Sequence, residues 1–377
     1  MHLGDCLGGY NFFEKNYETT LSEPRFIDRG EVTANVFAPD SRILEINSKS
    51  GLYPLYMAYS IYRAKVKNSL FSVSSIEDEQ RIWDKVVTEN IFVICKTPMA
   101  KSITKRTLIG FRKAKVNTRY FEDLINQIKN NPEYFIKQVD KFITDKTGIK
   151  NMKINAIMGS PPYQIMDGGA GVSAKPVYNE FVNIARTLSP GYMSMIMLSR
   201  WYAGGKELDS FRDSILKDKH ITSLFDYFDA TDVFPRIDLS GGVCYFLWSA
   251  NHNNDCAVTT SRNRIRNTLL RSLLENGADS FVRFNKTVNI MNKIPKEEQI
   301  FYTFVSPHKP FGIATDFKID KSVTKGVELF AYPNNGWFEI AQIPVHKEWI
   351  GKYKVFISYA YGERRNFPYF FCNQEQN

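Results

Sequence analysis

The 377-residue chain reads as an α/β protein with a mostly parallel sheet and helices on both faces. Three observations predict this. Short apolar runs of strand length alternate with stretches whose apolar residues recur at helical spacing, the pattern of a sheet built through helical crossovers. Several of the strands are apolar at nearly every position, as strands buried on both faces are. Turn signals, glycines or paired prolines, follow the strands where the chain must leave the sheet.

The first unit is Ser41–Asn47, a strand, followed by Ser48-Lys49-Ser50-Gly51 and a helix from Leu52 to Arg63. A glycine permits a tight turn, and the free N–H groups of a helix start face whatever binds there, so strand, turn and helix form a candidate ligand-binding unit. Ile91–Cys95 is a second strand, and Lys96–Arg106 after it reads as a basic loop that either contacts phosphate, lines a pocket wall or is a solvated connection. Phe121–Asn130 and Tyr134–Thr147 read as helices. Glu77 and Asp78 are candidates by position for an acidic contact to a ligand.

The most informative stretch is Ile154-Asn155-Ala156-Ile157-Met158-Gly159 running into Ser160-Pro161-Pro162-Tyr163. Two prolines fix φ and remove two donors, so the ladder of the strand cannot continue and carbonyls are left facing outward as acceptors. An aromatic ring beside fixed acceptors suits a planar group whose NH2 must be held. A plain turn or polyproline segment is the alternative. Downstream come a helix over Lys175–Leu188, a strand over Gly191–Leu198 ending in Ser199-Arg200-Trp201, a helix over Leu208–Leu216, and strands Ile221–Tyr227 and Gly242–Trp248. Gly168, Gly169 and Gly171 mark a loop able to close over a ligand, or a plain flexible loop.

Ser160-Pro161-Pro162-Tyr163 resembles the catalytic motif of the amino-methyltransferases. Together with Asp167-Gly168-Gly169-Ala170, Lys175-Pro176-Val177-Tyr178, Ser199–Lys206, Asp232-Val233-Phe234-Pro235 and Gly241–Phe246, it is similar to the adenine-specific DNA methylases of bacterial restriction-modification systems, in particular the fused type II group of the γ order. The resemblance runs from about Thr33 to Ser249. It implies a Rossmann-like S-adenosylmethionine-dependent methyltransferase sheet over 41–250 with an insertion at about 90–150, an N-terminal extension over 1–40, and a smaller mixed C-terminal region over 251–377 that recognises the target and is incomplete. It also implies S-adenosylmethionine bound by Glu45, Asn47, Lys49 and Gly51, and catalysis by Ser160, Pro161, Pro162 and Tyr163. DNA contacts fall to Lys175, Arg200, Trp201, Lys206 and, in the basic run after the sheet, Arg262, Arg264 and Arg266. For Trp201 a core position is the alternative, and for the arginine run a solvated helix face.

Ser160 departs from the Asn or Asp usual in adenine enzymes. A hydroxyl both donates and accepts and has a shorter reach than a carboxamide, so N4 of cytosine stays open as the target beside N6 of adenine, the reading favoured by the surrounding motifs. A degenerate methylase fold that keeps only DNA binding, and an enzyme acting on RNA or a protein glutamine, also stay open. A formal net charge of +9 agrees with duplex DNA as partner. A restriction endonuclease or missing flanking domains are further partners the resemblance implies. No nuclease constellation is evident, so cleavage is not expected. Five scattered cysteines without a Cys-x-x-Cys pair argue for free thiols and against a structural zinc site. The absence of a long apolar run predicts a soluble, cytoplasmic protein.

Overall fold

The computed structural model describes residues 1–68, 75–150, 152–165, 175–205, 207–237, 239–276, 278, 280–293, 304–306, 309–313, 322, 325–329, 336–353, 355–357 and 370–372. The chain divides into two compact units, Met1–Ile294 and Pro295–Asn377.

In chain order the first unit holds α1 (His2–Cys6), β1 (Gly9–Phe13), β2 (Thr20–Ile27), α2 (Glu31–Val36), β3 (Ile43–Ser48), α3 (Leu52–Lys67), α4 (Ile76–Glu89), β4 (Ile91–Cys95), α5 (Pro98–Ile109) and β5 (Asn117–Tyr120). It continues with α6 (Leu124–Asn130), α7 (Pro132–Thr147), β6 (Ala156–Gly159), β7 (Gln164–Ile165), β8 (Lys175–Pro176), α8 (Tyr178–Thr187), β9 (Tyr192–Leu198), α9 (Asp209–Leu216), β10 (Ile221–Tyr227), β11 (Val243–Ser249), β12 (Cys256–Arg262), β13 (Ile265–Arg271) and α10 (Asn285–Met291). Nine strands form one sheet in the order β13-β12-β10-β11-β9-β6-β3-β4-β5. The predicted α/β class holds. The five strands β9-β6-β3-β4-β5 are parallel, and β3, β4, β6 and β9 are buried at every position, as strands covered on both faces must be.

The sheet is more mixed than expected. β11 lies antiparallel between β9 and β10, because it starts at the edge where β10 ends, Tyr227 pairing with Val243. β12 and β13 then extend the sheet through residue 271. The boundary expected at 250 therefore does not coincide with the division between the units. The run Ser261–Asn267 is not a helix face: Asn263 and Arg264, both at positive φ, make the two-residue turn of a hairpin. Lys96–Arg106 is largely helix rather than loop, because Thr97 accepts the Ala100 N–H as N-cap and Pro98 sits in the first turn, where its missing donor costs nothing.

From β3 the chain moves one way to β4 and β5, then returns to place β6 on the other side of β3. With right-handed crossovers this puts α3, α4 and α5 on one face and α6, α7 and α8 on the other. It also opens a switch point between the carboxyl ends of β3 and β6, the place where ligands bind in such sheets.

The second unit shows among its described residues two short antiparallel ribbons, Val327–Leu329 with Gly336–Phe338 and Val355–Ile357 with Phe370–Cys372. No helix among the described residues is long and apolar enough to cross a membrane.

Candidate active site

The two segments singled out from sequence meet at the switch point. β3 and β6 are in register with Ile46 beside Gly159, so Asn47 to Gly51 and Ser160 to Tyr163 leave the sheet side by side. At Asn47 the pairing with β4 shifts by one residue, a β-bulge, and Asn47 takes a left-handed backbone at φ 75°. A bulge re-aims a side chain, and Asn is among the few residues that tolerate this conformation. The Asn47 Nδ2 donates to the Ser160 carbonyl at 2.9 Å, directly joining the two loops.

The glycine turn is closely built. Gly51 lies at φ 77° and precedes α3, and a Cβ there would come within 2.9 Å of the Thr104 Cα. Ser48 Oγ and Thr104 Oγ1 lie 3.2 Å apart, and the Thr107 hydroxyl donates to the Ser50 carbonyl at 2.6 Å, so α5 presses against the turn. Lys49 is exposed; partial desolvation, then the charge of Lys96, lowers its ammonium pKa.

Two acceptors in this pocket lack donors. Glu45 and Asn47 are buried, and Glu45 Oε2 and Asn47 Oδ1 have no hydrogen-bond partner. Buried polar atoms are nearly always satisfied, so this pair fits a ligand carrying donors. Burial raises the Glu45 carboxyl to about 8, against smaller opposing effects of the Ser48 hydrogen bond and the Lys49 charge. Below that value Glu45 is mostly protonated in the folded, ligand-free chain. A ligand ammonium group would favour the carboxylate and displace the proton. Cofactor affinity is therefore expected to rise with pH up to about 8 and then level off, with proton release on binding below that value; Glu45→Gln should flatten the profile. Calorimetry in buffers of different ionisation enthalpy measures both quantities.

On the other side, Ser160, Pro162 and Tyr163 are half-buried and Pro161 is buried. The Tyr163 ring packs against the core, its hydroxyl pKa is raised by burial, and it is hydrogen-bonded to Ser160. The Tyr163 carbonyl accepts from the Val177 N–H, and β7 pairs with β8, so the turn is braced from behind.

The remaining predicted residues divide. Arg200, at the carboxyl end of β9, is exposed and donates to the Ser240 carbonyl. Trp201 is fully buried with its indole N–H on the Cys244 sulfur at 3.4 Å and rings packed on Tyr202 and Phe211, so it is a core residue and not a DNA contact. Lys175 is exposed and pairs with Glu207 at 2.8 Å. Arg262, Arg264 and Arg266 lie at the same edge of the sheet as the site. Arg262 is exposed beside the Phe284 ring, Arg264 pairs with Glu18 at 2.8 Å, and Arg266 pairs with Asp5 at 3.4 Å and donates to the Tyr227 hydroxyl. Lys206, Gly168, Gly169 and Gly171 lie outside the described residues. Glu77 and Asp78 belong to the exposed first turn of α4, where Asp78 pairs with Arg81, away from the end of β4. Cys6, Cys95, Cys244 and Cys256 are buried free thiols.

Sequence reasoning missed Asp226 and Arg283. Asp226 ends β10 fully buried, accepts from the Ser199 hydroxyl at 2.9 Å, and receives two hydrogen bonds from Arg283 at 2.7 and 2.8 Å. Arg283 also donates to the Gly241 carbonyl and lies over the Phe228 ring. A lone carboxylate in an otherwise apolar strand was the available signal.

Residues 89–234 match the model of the Eco57I restriction-modification methylase family. Over this stretch the resemblance read from the motifs is borne out. The match takes in the Ser160–Tyr163 turn and leaves out the Glu45–Gly51 loop. An uncharacterised adenine-specific methylase of Mycoplasma pneumoniae is 35% identical over 118 residues, 30% of this chain and 28% of that protein, so the aligned part spans little more than a quarter of the relative. Among solved structures, the M protein of the type I restriction enzyme EcoKI aligns at 11% identity over 65% of this chain and 53% of its own, with a TM-score of 0.38. The type IIL restriction-modification enzyme MmeI, in complex with DNA, aligns at 9% identity over 65% and 36%, with a TM-score of 0.40.

Proposed function

We propose that the chain is a DNA methyltransferase that moves a methyl group from S-adenosylmethionine to N6 of adenine, in a restriction-modification setting and in the cytoplasm. The observation that carries this is the joining of the buried, donor-seeking Glu45–Gly51 pocket to the Ser160–Tyr163 turn through one hydrogen bond from Asn47.

Glu45, Asn47, Lys49 and Gly51 would hold the methyl donor, which supplies an activated sulfonium methyl group. The chain's own residues do the rest. Tyr163 offers its ring to a base extruded from the duplex. The Ser160 hydroxyl and the Pro161 carbonyl accept the two amino hydrogens, which makes the nitrogen lone pair available for in-line attack as the amine becomes tetrahedral. No covalent enzyme intermediate is needed, since proximity to an activated methyl group supplies most of the rate. The buried cysteines take no part. Arg200 and Arg262, exposed at the same edge, are the DNA contacts we favour; Arg264 and Arg266 would have to leave Glu18 and Asp5 to reach phosphates.

The test is transfer of a tritiated methyl group to unmethylated genomic DNA, followed by digestion to nucleosides. Label in N6-methyladenine supports the proposal. Label in N4-methylcytosine, the outcome Ser160 keeps open, would overturn the choice of base. Absence of both label and cofactor binding would overturn the enzyme.

A further inference from the structure

We propose that Asn47 is a positioning residue that couples occupancy of the cofactor pocket to the geometry of the Ser160–Pro161 turn. This rests on the methyltransferase reading and deepens it.

A carbonyl can only accept, so the Asn47 amide nitrogen is the atom facing Ser160 O at 2.9 Å, and this settles which way the amide points. Oδ1 is then the atom left buried without a donor, in the same loop as the unpartnered Glu45 Oε2. One planar group thus has one end on the catalytic turn and the other in the cofactor pocket. Holding the Ser160 carbonyl fixes the plane of the Ser160–Pro161 peptide, because that unit is rigid. The proline ring then restricts the next φ. Together these orient the Ser160 hydroxyl and the Pro161 carbonyl, the two acceptors of the target amine. A donor arriving at Oδ1 polarises the amide and strengthens the hydrogen bond at Nδ2, so a loaded pocket holds the turn more firmly than an empty one. The bulge and the positive φ at Asn47 make this reach possible.

Two variants of the full chain separate this role from plain folding. Asn47→Gly accepts the left-handed backbone without strain and removes the amide. Asn47→Asp keeps the shape and puts an acceptor against the Ser160 carbonyl. With DNA as substrate, both are expected to lower kcat about 10- to 100-fold, the size of effect that small misplacement of reacting groups produces. KM for DNA and the calorimetric Kd for S-adenosylhomocysteine should change by less than about threefold, well under the tenfold that 1.4 kcal/mol represents. Hydrogen exchange over residues 156–165 gives a readout independent of turnover. S-adenosylhomocysteine should slow exchange there in the wild type and leave it unchanged in Asn47→Gly, although the variant still binds. Unchanged kcat in both variants, or equal protection of 156–165 in wild type and variant, overturns the coupling. A wild type that binds S-adenosylhomocysteine but methylates no DNA overturns the methyltransferase reading, and the exchange result still decides the coupling.

Discussion

Arg283→Met should lower the stability of the first unit by about 3–5 kcal/mol at pH 7.5, because it leaves the fully buried Asp226 carboxylate without its charge partner. Asp226 is held by both guanidinium N–H groups and by Ser199, and even so burial keeps its carboxyl above the usual range. A carboxyl whose folded pKa is raised contributes stability that is full below the unfolded value and declines as pH rises through the folded one. Removing Arg283 raises that folded value further, so the defect should shrink as pH falls toward 5 and the carboxyl protonates. Adding Asp226→Asn should recover most of the loss, since removing both charges is far less costly than removing one. Urea unfolding of the wild type and the single and double variants at pH 7.5 and 5 measures all of this. A single variant as stable as the wild type at pH 7.5 would show that the pair does not hold the end of β10 in place.

That pair also shows why the site was only partly legible in the sequence. The Ser160–Tyr163 turn could be found because its function depends on local covalent constraint: two prolines and a ring after an apolar strand look the same before and after folding. Glu45 stood out for a similar reason, as an acid in an apolar strand before a glycine turn. Arg283 carried no comparable signal. Its partner is 57 residues away, and only the packing of Phe228 and Tyr202 beneath its guanidinium marks its place. Trp201 failed in the opposite sense. It follows a strand at the ligand edge, yet the chain turns it inward onto Cys244 and Phe211, and a large ring gains more from full burial than from a rim position. The arginines at 262–266 were read as a helix face because basic residues have weak strand preference. The paired positive φ angles of Asn263 and Arg264 decided for a hairpin.

Tyr163→Ala is expected to lower methyl transfer to DNA roughly 10²-fold or more, through loss of a stacking surface and of precise placement of the base. The fold should survive, since the ring is only half-buried at the edge of the core. Tyr163→Phe separates the two things the residue offers. It keeps the ring and loses only the hydroxyl that meets Ser160, and a single neutral hydrogen bond amounts to ~1 kcal/mol, about fivefold in rate. Phe close to wild type with Ala far below would assign the effect to stacking. Phe as poor as Ala would instead make the Tyr163–Ser160 contact decisive, which is plausible chemistry here for a specific reason: a serine hydroxyl rotates freely, and a fixed neighbour is what decides whether its lone pairs face the amine. In that case Ser160→Asn, which supplies a carbonyl acceptor of longer reach, should restore part of the activity to the Phe variant. Kinetics of the three variants on the same DNA distinguish a turn that works through its ring from one that works through its hydroxyl pair.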